Sequence, residues 1–353
     1  MSQLIPDSSF SAMPQAMLLL VGVGAIYYLM IGADWLVCGA VGLAHRLGIA
    51  KVIVGATIIS LGTTSPEAAV SVMAAWDGQA GLAIGNAVGS IIADTGLIFG
   101  LGCVLTVLPA DRFVLKRQGY IKVGSAALLV ALCYIIFVIK GQSAELGRWV
   151  GILFLALLVL YMVVSVRWGK MHPSSQVIAD EDLDGKGDEK VRPVWLMLGR
   201  IFLGLVLVIL SSRFVIGSVT QLAIIWKVPD VVISSTIVAF GTSLPEFVVG
   251  MTSIVRGHKE LLVGNVIGAD ILNVLFVIGA SAVAQSLPII DPTAKYPAIF
   301  LYLQLPTMLI MIGLFMMYII FAVRKGQFEK WYGYPLIILY VVFLAVGYIL
   351  EKA

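Results

Sequence analysis

Two segments of the chain place a glutamate directly after a proline: Gly62-Thr63-Thr64-Ser65-Pro66-Glu67 and Gly241-Thr242-Ser243-Leu244-Pro245-Glu246. A proline inside a helix removes one amide donor and clashes with the carbonyl four residues earlier. The carbonyls of Gly62 and Gly241 are thereby freed, and those of Thr63 and Thr242 loosened. Further along, polar residues recur at four-residue spacing, as Asn86, Ser90 and Asp94 and again as Asn265, Ala269 and Asn273. That spacing is one face of a helix. Every donor in these sets is oxygen: Glu67, Glu246 and Asp94 as anions, the three asparagines as amides, then hydroxyls and backbone carbonyls. Hard cations take such ligands, Ca²⁺ roughly 6–8 of them, whereas zinc and copper favour nitrogen or sulfur.

The elements that must hold these groups follow from composition. Of 353 residues, 60% are hydrophobic and only 12% charged, and the mean hydropathy is +1.03. A soluble domain is about 45–50% apolar and about 25% charged. The apolar runs are about 20 residues long, enough to cross a hydrocarbon core roughly 30 Å thick. The chain therefore reads as an all-α polytopic membrane protein. Nucleic-acid binding, disulfide scaffolds and soluble Rossmann or barrel enzymes are set aside. No Ser/His, H-E-x-x-H or paired-aspartate pattern points to an intramembrane enzyme, and no resident cofactor is expected.

Ten spans are predicted, near 14–38, 49–76, 79–107, 119–139, 147–167, 194–218, 229–255, 260–286, 297–323 and 331–350. Residues 1–13 lack the features of a signal peptide, so the first span is expected to persist. Cys38, Cys103 and Cys133 fall inside spans and read as packing residues. Lysines and arginines divide seventeen to six between the two sides, with Lys122 counted on the richer one. The positive-inside bias predicts extracytoplasmic termini and a cytoplasmic 168–193 connection, in a plasma (inner) membrane.

Shifting the chain by 179 residues aligns its halves without a gap, with seventeen identities between Leu43 and Gly100 and their partners Leu222 to Gly279. The rare polar residues recur in order, which compositional noise would not produce. The predicted units are a five-helix repeat over 1–167 (core 54–102), a linker over 168–193, and a second five-helix repeat over 194–353 (core 233–281). Five is odd, so the second copy enters the membrane from the opposite side. Inverted repeats with broken helices, here spans 2 and 7, place the substrate site near the midplane. Carboxylates at that depth are costly and usually functional. Gly85, Gly89, Gly264 and Gly268 beside the polar stripes are expected to permit close helix approach.

On these residues the chain resembles the cation/calcium exchanger family, the Na⁺/Ca²⁺-exchanger-like antiporters, whose two repeats carry G-T-S-x-P-E and G-N-x-x-G-S-N-I-x-[DN] segments. The resemblance covers nearly the whole chain and starts from Gly32-Ala33-Asp34. It implies exchange of Ca²⁺ for Na⁺ by alternating access, with H⁺ or Mg²⁺ as alternative ions. It further implies that Glu67 and Glu246 are the central Ca²⁺ ligands. Thr63, Thr64, Thr242 and Ser243 would help to bind Na⁺ and Ca²⁺, and Ser90, Asp94 and Asn273 would occupy the other ion positions. The chain departs from the pattern at Ala269 for serine, Ile91 for asparagine, and Asp270, which adds a fourth candidate carboxylate. The partners implied are inorganic cations and the lipid bilayer. The oligomeric state is left open.

Smaller signals are weaker. Asp180-x-Asp182-x-Asp184-Gly185 opens like an EF-hand loop, but Val191 stands at its twelfth position, so it reads as a solvated acidic linker. Arg213 is expected to snorkel to the interface, and Asp34 to pair locally or line a pathway. His45, His172 and His258 show no zinc spacing. Sliding of spans 1 and 6 past the broken-helix core is the expected gating motion.

Overall fold

Apolar stretches become helices because each amide in hydrocarbon must be satisfied within its own segment. The computed structural model describes residues 7–171, 193–226, 239–290 and 298–352. After a five-residue helix at Asp7–Ser11, the longer helices in chain order are α1 (Gln15–Leu47), α2 (Lys51–Val54, Gly55–Ile59 and Ser60–Trp76 in succession), α3 (Ala80–Leu105), α4 (Arg112–Lys140) and α5 (Arg148–Met171). They are followed by α6 (Val194–Ile225), α7 (Ala239–Thr242 and Leu244–Val255), α8 (Lys259–Ala284), α9 (Phe300–Lys325) and α10 (Gly333–Lys352). All but α2 and α7, eight in number, are long and apolar enough to cross a membrane. The two exceptions carry the polar Pro-Glu segments. The EF-hand-like stretch and most of the 168–193 connection lie outside the described residues.

The expected break at Pro66 is absent. Helical backbone runs through Pro66 from Ser60 to Trp76, and the irregularity of α2 is a π-helical turn at Gly55–Ile59. Side-chain hydroxyls on either side of the proline bond carbonyls one turn back, Thr63 to Ile59 at 3.2 Å and Ser65 to Leu61, a habit of Ser and Thr in helices. Helix α7 does break, at Ser243 (φ −91°, ψ 10°), which leaves Pro245 in the first turn of Leu244–Val255. There a proline has no helical amide to lose. The all-α expectation holds apart from two-residue ladders, Leu108–Pro109 with Gln327–Phe328 and Glu145–Leu146 with Leu287–Pro288. They tie the α3–α4 connection to α9–α10, and α4–α5 to α8–α9.

Element bounds recur 179 residues apart. Ala80–Ala93, the π-turn Asp94–Phe99, Gly100–Leu105 and Leu108–Pro109 reappear as Lys259–Leu272, the π-turn Asn273–Ile278, Gly279–Ala284 and Leu287–Pro288. Helices α3 and α8 are the most buried of the long helices. Their side chains, among them Ile91, Phe99 and Ile267, form one large core with Phe315 of α9. Helices α1 and α6 pack together along their length, Gly32 lying against the backbone of Gly204 and Val208, and contribute Leu36, Val37, Ala40 and Val208 to a separate cluster.

The π-turn in α2 leaves backbone polar groups for tertiary partners. Tyr161 of α5 donates its hydroxyl to the Ala56 carbonyl at 2.9 Å. Removing that donor strands a buried acceptor, which costs about 1–3 kcal/mol. A Tyr161→Phe variant is therefore expected to melt below the wild type by that amount in a detergent thermal-unfolding assay, with an otherwise unchanged fold.

Candidate functional site

The two Pro-Glu segments meet inside the protein. Glu67 and Glu246 are 2% and 1% exposed, and their bonds are reciprocal. Thr64 of α2 donates to Glu246 Oε1 at 3.3 Å, while Ser243 of α7 donates to Glu67 Oε1 at 3.3 Å. Thr64 and Ser243 are 179 residues apart, as are the two glutamates. The halves of the site thus hold one another's carboxylates by the same bond. Ser90 of α3 adds a third donor, 2.9 Å from Glu67 Oε1; Ala269, its mate at the 179-residue offset, offers none. Thr63 lies beside Glu246.

Several further oxygens of these groups are buried without a partner among the described residues. The outer oxygens of both glutamates and both carboxylate oxygens of Asp94 are buried and unbonded among the described residues. Asn265 is likewise buried with its amide unbonded. Asn273 approaches Glu67 without closing a hydrogen bond. Asp94 and Asn273 each open a π-turn, a feature that often marks functional positions in helices. Buried polar groups are normally satisfied; here atoms of a carboxylate pair, a nearby aspartate and two amides are not, among the described residues. No three Asp, Glu, His or Cys side chains gather around a single point among the described residues. A metal here would rest on the Glu67–Glu246 pair plus neutral oxygens.

Other residues of the sequence reading stand further off. Asn86 is half-buried, and its amide donates to Ser71 at 3.1 Å. Gly62 is half-buried and Gly241 buried, and a Cβ on them would meet the α6 side chains Leu205 and Ile216, with Thr242 half-buried next to Gly241. Close helix approach is made at Gly264 and Gly268, which lie against the α2 backbone at Val52 and Ala56. Gly85 instead faces the Gln304 amide, and no described atom lies within 4 Å of the place a Gly89 side chain would occupy. Asp34 pairs not locally but with Arg256, at the end of α7. Arg213 stacks near the Phe10 ring, with 5.8 Å from guanidinium to centroid.

Asp270, the fourth candidate carboxylate, is held on one oxygen, while its Oδ1 is buried and unbonded among the described residues. Its Oδ2 pairs with Lys122 of α4 at 2.5 Å and accepts from Thr95 of α3 at 2.6 Å. Lys122 is 1% exposed, which corrects its placement among the loop cations. The helix begins at Arg112, so Lys122 lies about 15 Å along it, at roughly 1.5 Å per residue. The count on the basic side falls by one and its bias stands. The signal was available: a carboxylate without a counterpart in the other half calls for a cation, and Lys122 heads an apolar run.

Comparison with known proteins bears on the family and the fold. The family model described as "Sodium/calcium exchanger protein" matches residues 17–167 and 196–348. The inner membrane protein YrbG of Escherichia coli is 32% identical over 272 residues, covering 75% of this chain and 78% of that protein. The sodium/calcium exchanger MaX1 of Methanosarcina acetivorans is 27% identical over 351 residues, covering 91% and 95%. The solved sodium/calcium exchanger from Methanococcus jannaschii superimposes with a TM-score of 0.76 at 23% identity, over 94% of this chain and 99% of that one, a likeness of fold.

Proposed function

The chain belongs to the sodium/calcium exchanger family, and from that premise we propose that it is a secondary active antiporter exchanging Na⁺ for Ca²⁺ by alternating access at the Glu67–Glu246 pair. The observation that carries this is the reciprocal Thr64–Glu246 and Ser243–Glu67 bonding of two buried carboxylates whose outer oxygens are open. Glu67 and Glu246 bind Ca²⁺, assisted by oxygens of Thr63, Thr64, Thr242 and Ser243 and the carbonyls of Gly62 and Gly241. Asp94, Ser90, Asn273 and Asn265 serve adjoining positions for Na⁺, with Asn86 at the margin.

The architecture in this reading is ten spans in two inverted five-helix repeats, over 1–167 and 194–353. The recurrence of element bounds 179 residues apart and the ladders, which join alternate connections, support it. The positive-inside bias supports extracytoplasmic termini and a cytoplasmic 168–193 connection in a plasma membrane. Coupling needs no covalent chemistry. Empty, the carboxylates are uncompensated buried charges that resist passage through the membrane interior; loaded with Ca²⁺ or with several Na⁺, they are neutralised and the protein can change face. In this reading α1 and α6, packed on one another along their length, slide together past the core.

Reconstituted into liposomes loaded with Na⁺, the protein is expected to take up ⁴⁵Ca²⁺, and replacement of internal Na⁺ by choline at a fixed pH gradient should stop uptake. Uptake that persists in choline and follows the pH gradient would assign the coupling to H⁺. Flux that needs no trans ion would make the protein a channel. In the same assay Ser90→Ala removes a hydrogen bond to a charged acceptor, worth about 1.5–3 kcal/mol. The apparent Ca²⁺ affinity should fall about tenfold or more, at about 1.4 kcal/mol per decade.

A further inference from the structure

Lys122 has no place in the exchange reaction as described, yet it sits at the edge of the site. Its Nζ is 2.5 Å from Asp270 Oδ2, 2.9 Å from Thr95 Oγ1 and 3.7 Å from the centre of the Phe315 ring. A buried charge persists only when paired and hydrogen-bonded, and an ammonium has three donors. A carboxylate, a hydroxyl and an aromatic face are three partners that match them, the last by attraction to the ring quadrupole. Thr95 closes the ring by donating to the same carboxylate oxygen. The helices that meet here, α3, α4, α8 and α9, belong to the packed core.

A small monovalent cation bound at this point would take the same two oxygens, Asp270 Oδ2 and Thr95 Oγ1. The neighbourhood is the cation site itself: Thr95 follows Asp94, whose carboxylate lies within electrostatic reach of Asp270, Glu67, Glu246 and Lys122. The other half of the molecule gives the comparison. The mates of Asp270 and Thr95 at the 179-residue offset are Ile91 and Val274, both buried and apolar. Where the carboxylate is missing, no countercharge is needed; where it is present, the protein supplies one from its own chain.

We propose that the Lys122 ammonium is a resident, tethered cation that permanently fills a monovalent-cation position at Asp270 and Thr95, so that this position takes no exchangeable ion. This rests on the antiporter reading for its meaning in transport. Of the four buried carboxylates, Glu67, Glu246 and Asp94 are left without a cation from the protein's own chain.

The test counts bound ions directly. At saturating Na⁺ without Ca²⁺, ²²Na⁺ bound per chain is measured by scintillation proximity on purified protein, alongside the Na⁺ dependence of Ca²⁺ efflux. Lys122→Ala vacates the position and should bind one Na⁺ more than the wild type, with a correspondingly steeper Na⁺ dependence. Lys122→Ala/Asp270→Asn should return to the wild-type number, and Lys122→Arg should keep it. A Lys122→Ala count equal to the wild type, or an extra ion retained by the double variant, overturns the proposal. Should Lys122→Ala not fold, the charge-free double variant decides. The wild-type number supports the resident cation, and a lower one shows that Asp270 had been holding an exchangeable ion. A wild type that binds Ca²⁺ but no Na⁺ sinks the coupling assignment above, and the gain of one Na⁺ in Lys122→Ala is then read against zero.

Discussion

Replacing either Glu67 or Glu246 by glutamine is expected to lower Na⁺-driven ⁴⁵Ca²⁺ uptake by at least about 100-fold, about 2.7 kcal/mol at 1.36 kcal/mol per decade, while leaving a folded, inserted protein. Glutamine keeps the size of the side chain and an oxygen for Thr64 or Ser243 to bond, so packing is preserved. What is lost is one of two anions facing a divalent cation, and affinity at such sites follows the number of charged ligands. The stability consequence runs the other way. Each wild-type glutamate holds an outer oxygen buried without a partner, a state that costs free energy until an ion arrives. Ion-free Glu67→Gln and Glu246→Gln proteins should therefore melt at or above the wild-type temperature. They should also lose the rise in melting temperature that added Ca²⁺ gives the wild type by mass action. Exchange at wild-type rate in either variant would remove these carboxylates from the mechanism. Loss of exchange with a lowered melting point would mark them as structural.

The pairing of these glutamates was legible because rare residues in a membrane protein carry much information. Two Pro-Glu segments at one offset can hardly arise by chance, and their symmetry required them to meet. The four-residue polar stripes were legible for the same reason. Local backbone was less so. Sequence marks where a proline weakens a helix, but not whether the helix breaks there. Helix α2 continues through Pro66, whereas α7 breaks at Ser243, whose hydroxyl is directed to Glu67. The π-turns at Gly55, Asp94 and Asn273 leave no trace in hydropathy. Lys122 was misplaced because the basic start of α4 hid the helix boundary, which lies at Arg112 rather than near 119. A residue counted as interfacial proved to lie well inside the helix.

Close packing of α8 on α2 is the contact on which the site's geometry most depends, and Gly268→Ala and Gly264→Ala are expected to damage it most. A Cβ on Gly268 would collide with the Ala56 carbonyl and the Ser60 hydroxyl, and one on Gly264 with the Val52 backbone. Backbone atoms within a helix cannot turn aside as a side chain can. The helices must separate, and in a well-packed interior such overpacking costs typically about 1–3 kcal/mol, occasionally more. We expect about 3 kcal/mol or more, because the collision is with main chain on both counts. The loss should reach function too, since the same approach brings the π-turn Asn273–Ile278 against Ser60–Trp76 and so sets Asn273 beside Glu67. Gly313→Ala in α9 is the control. It too adds one methyl to a helical glycine, but at a place where no described atom lies within 4 Å, and alanine's better helix propensity should leave it as stable as the wild type or slightly more so. Thermal unfolding of the three detergent-solubilised variants separates the cases. A marked fall for Gly268→Ala and Gly264→Ala with none for Gly313→Ala supports backbone contact between α2 and α8. Equal melting of all three would mean that the helices stand further apart than this, and that the carboxylate pair is held in register by something other than their crossing.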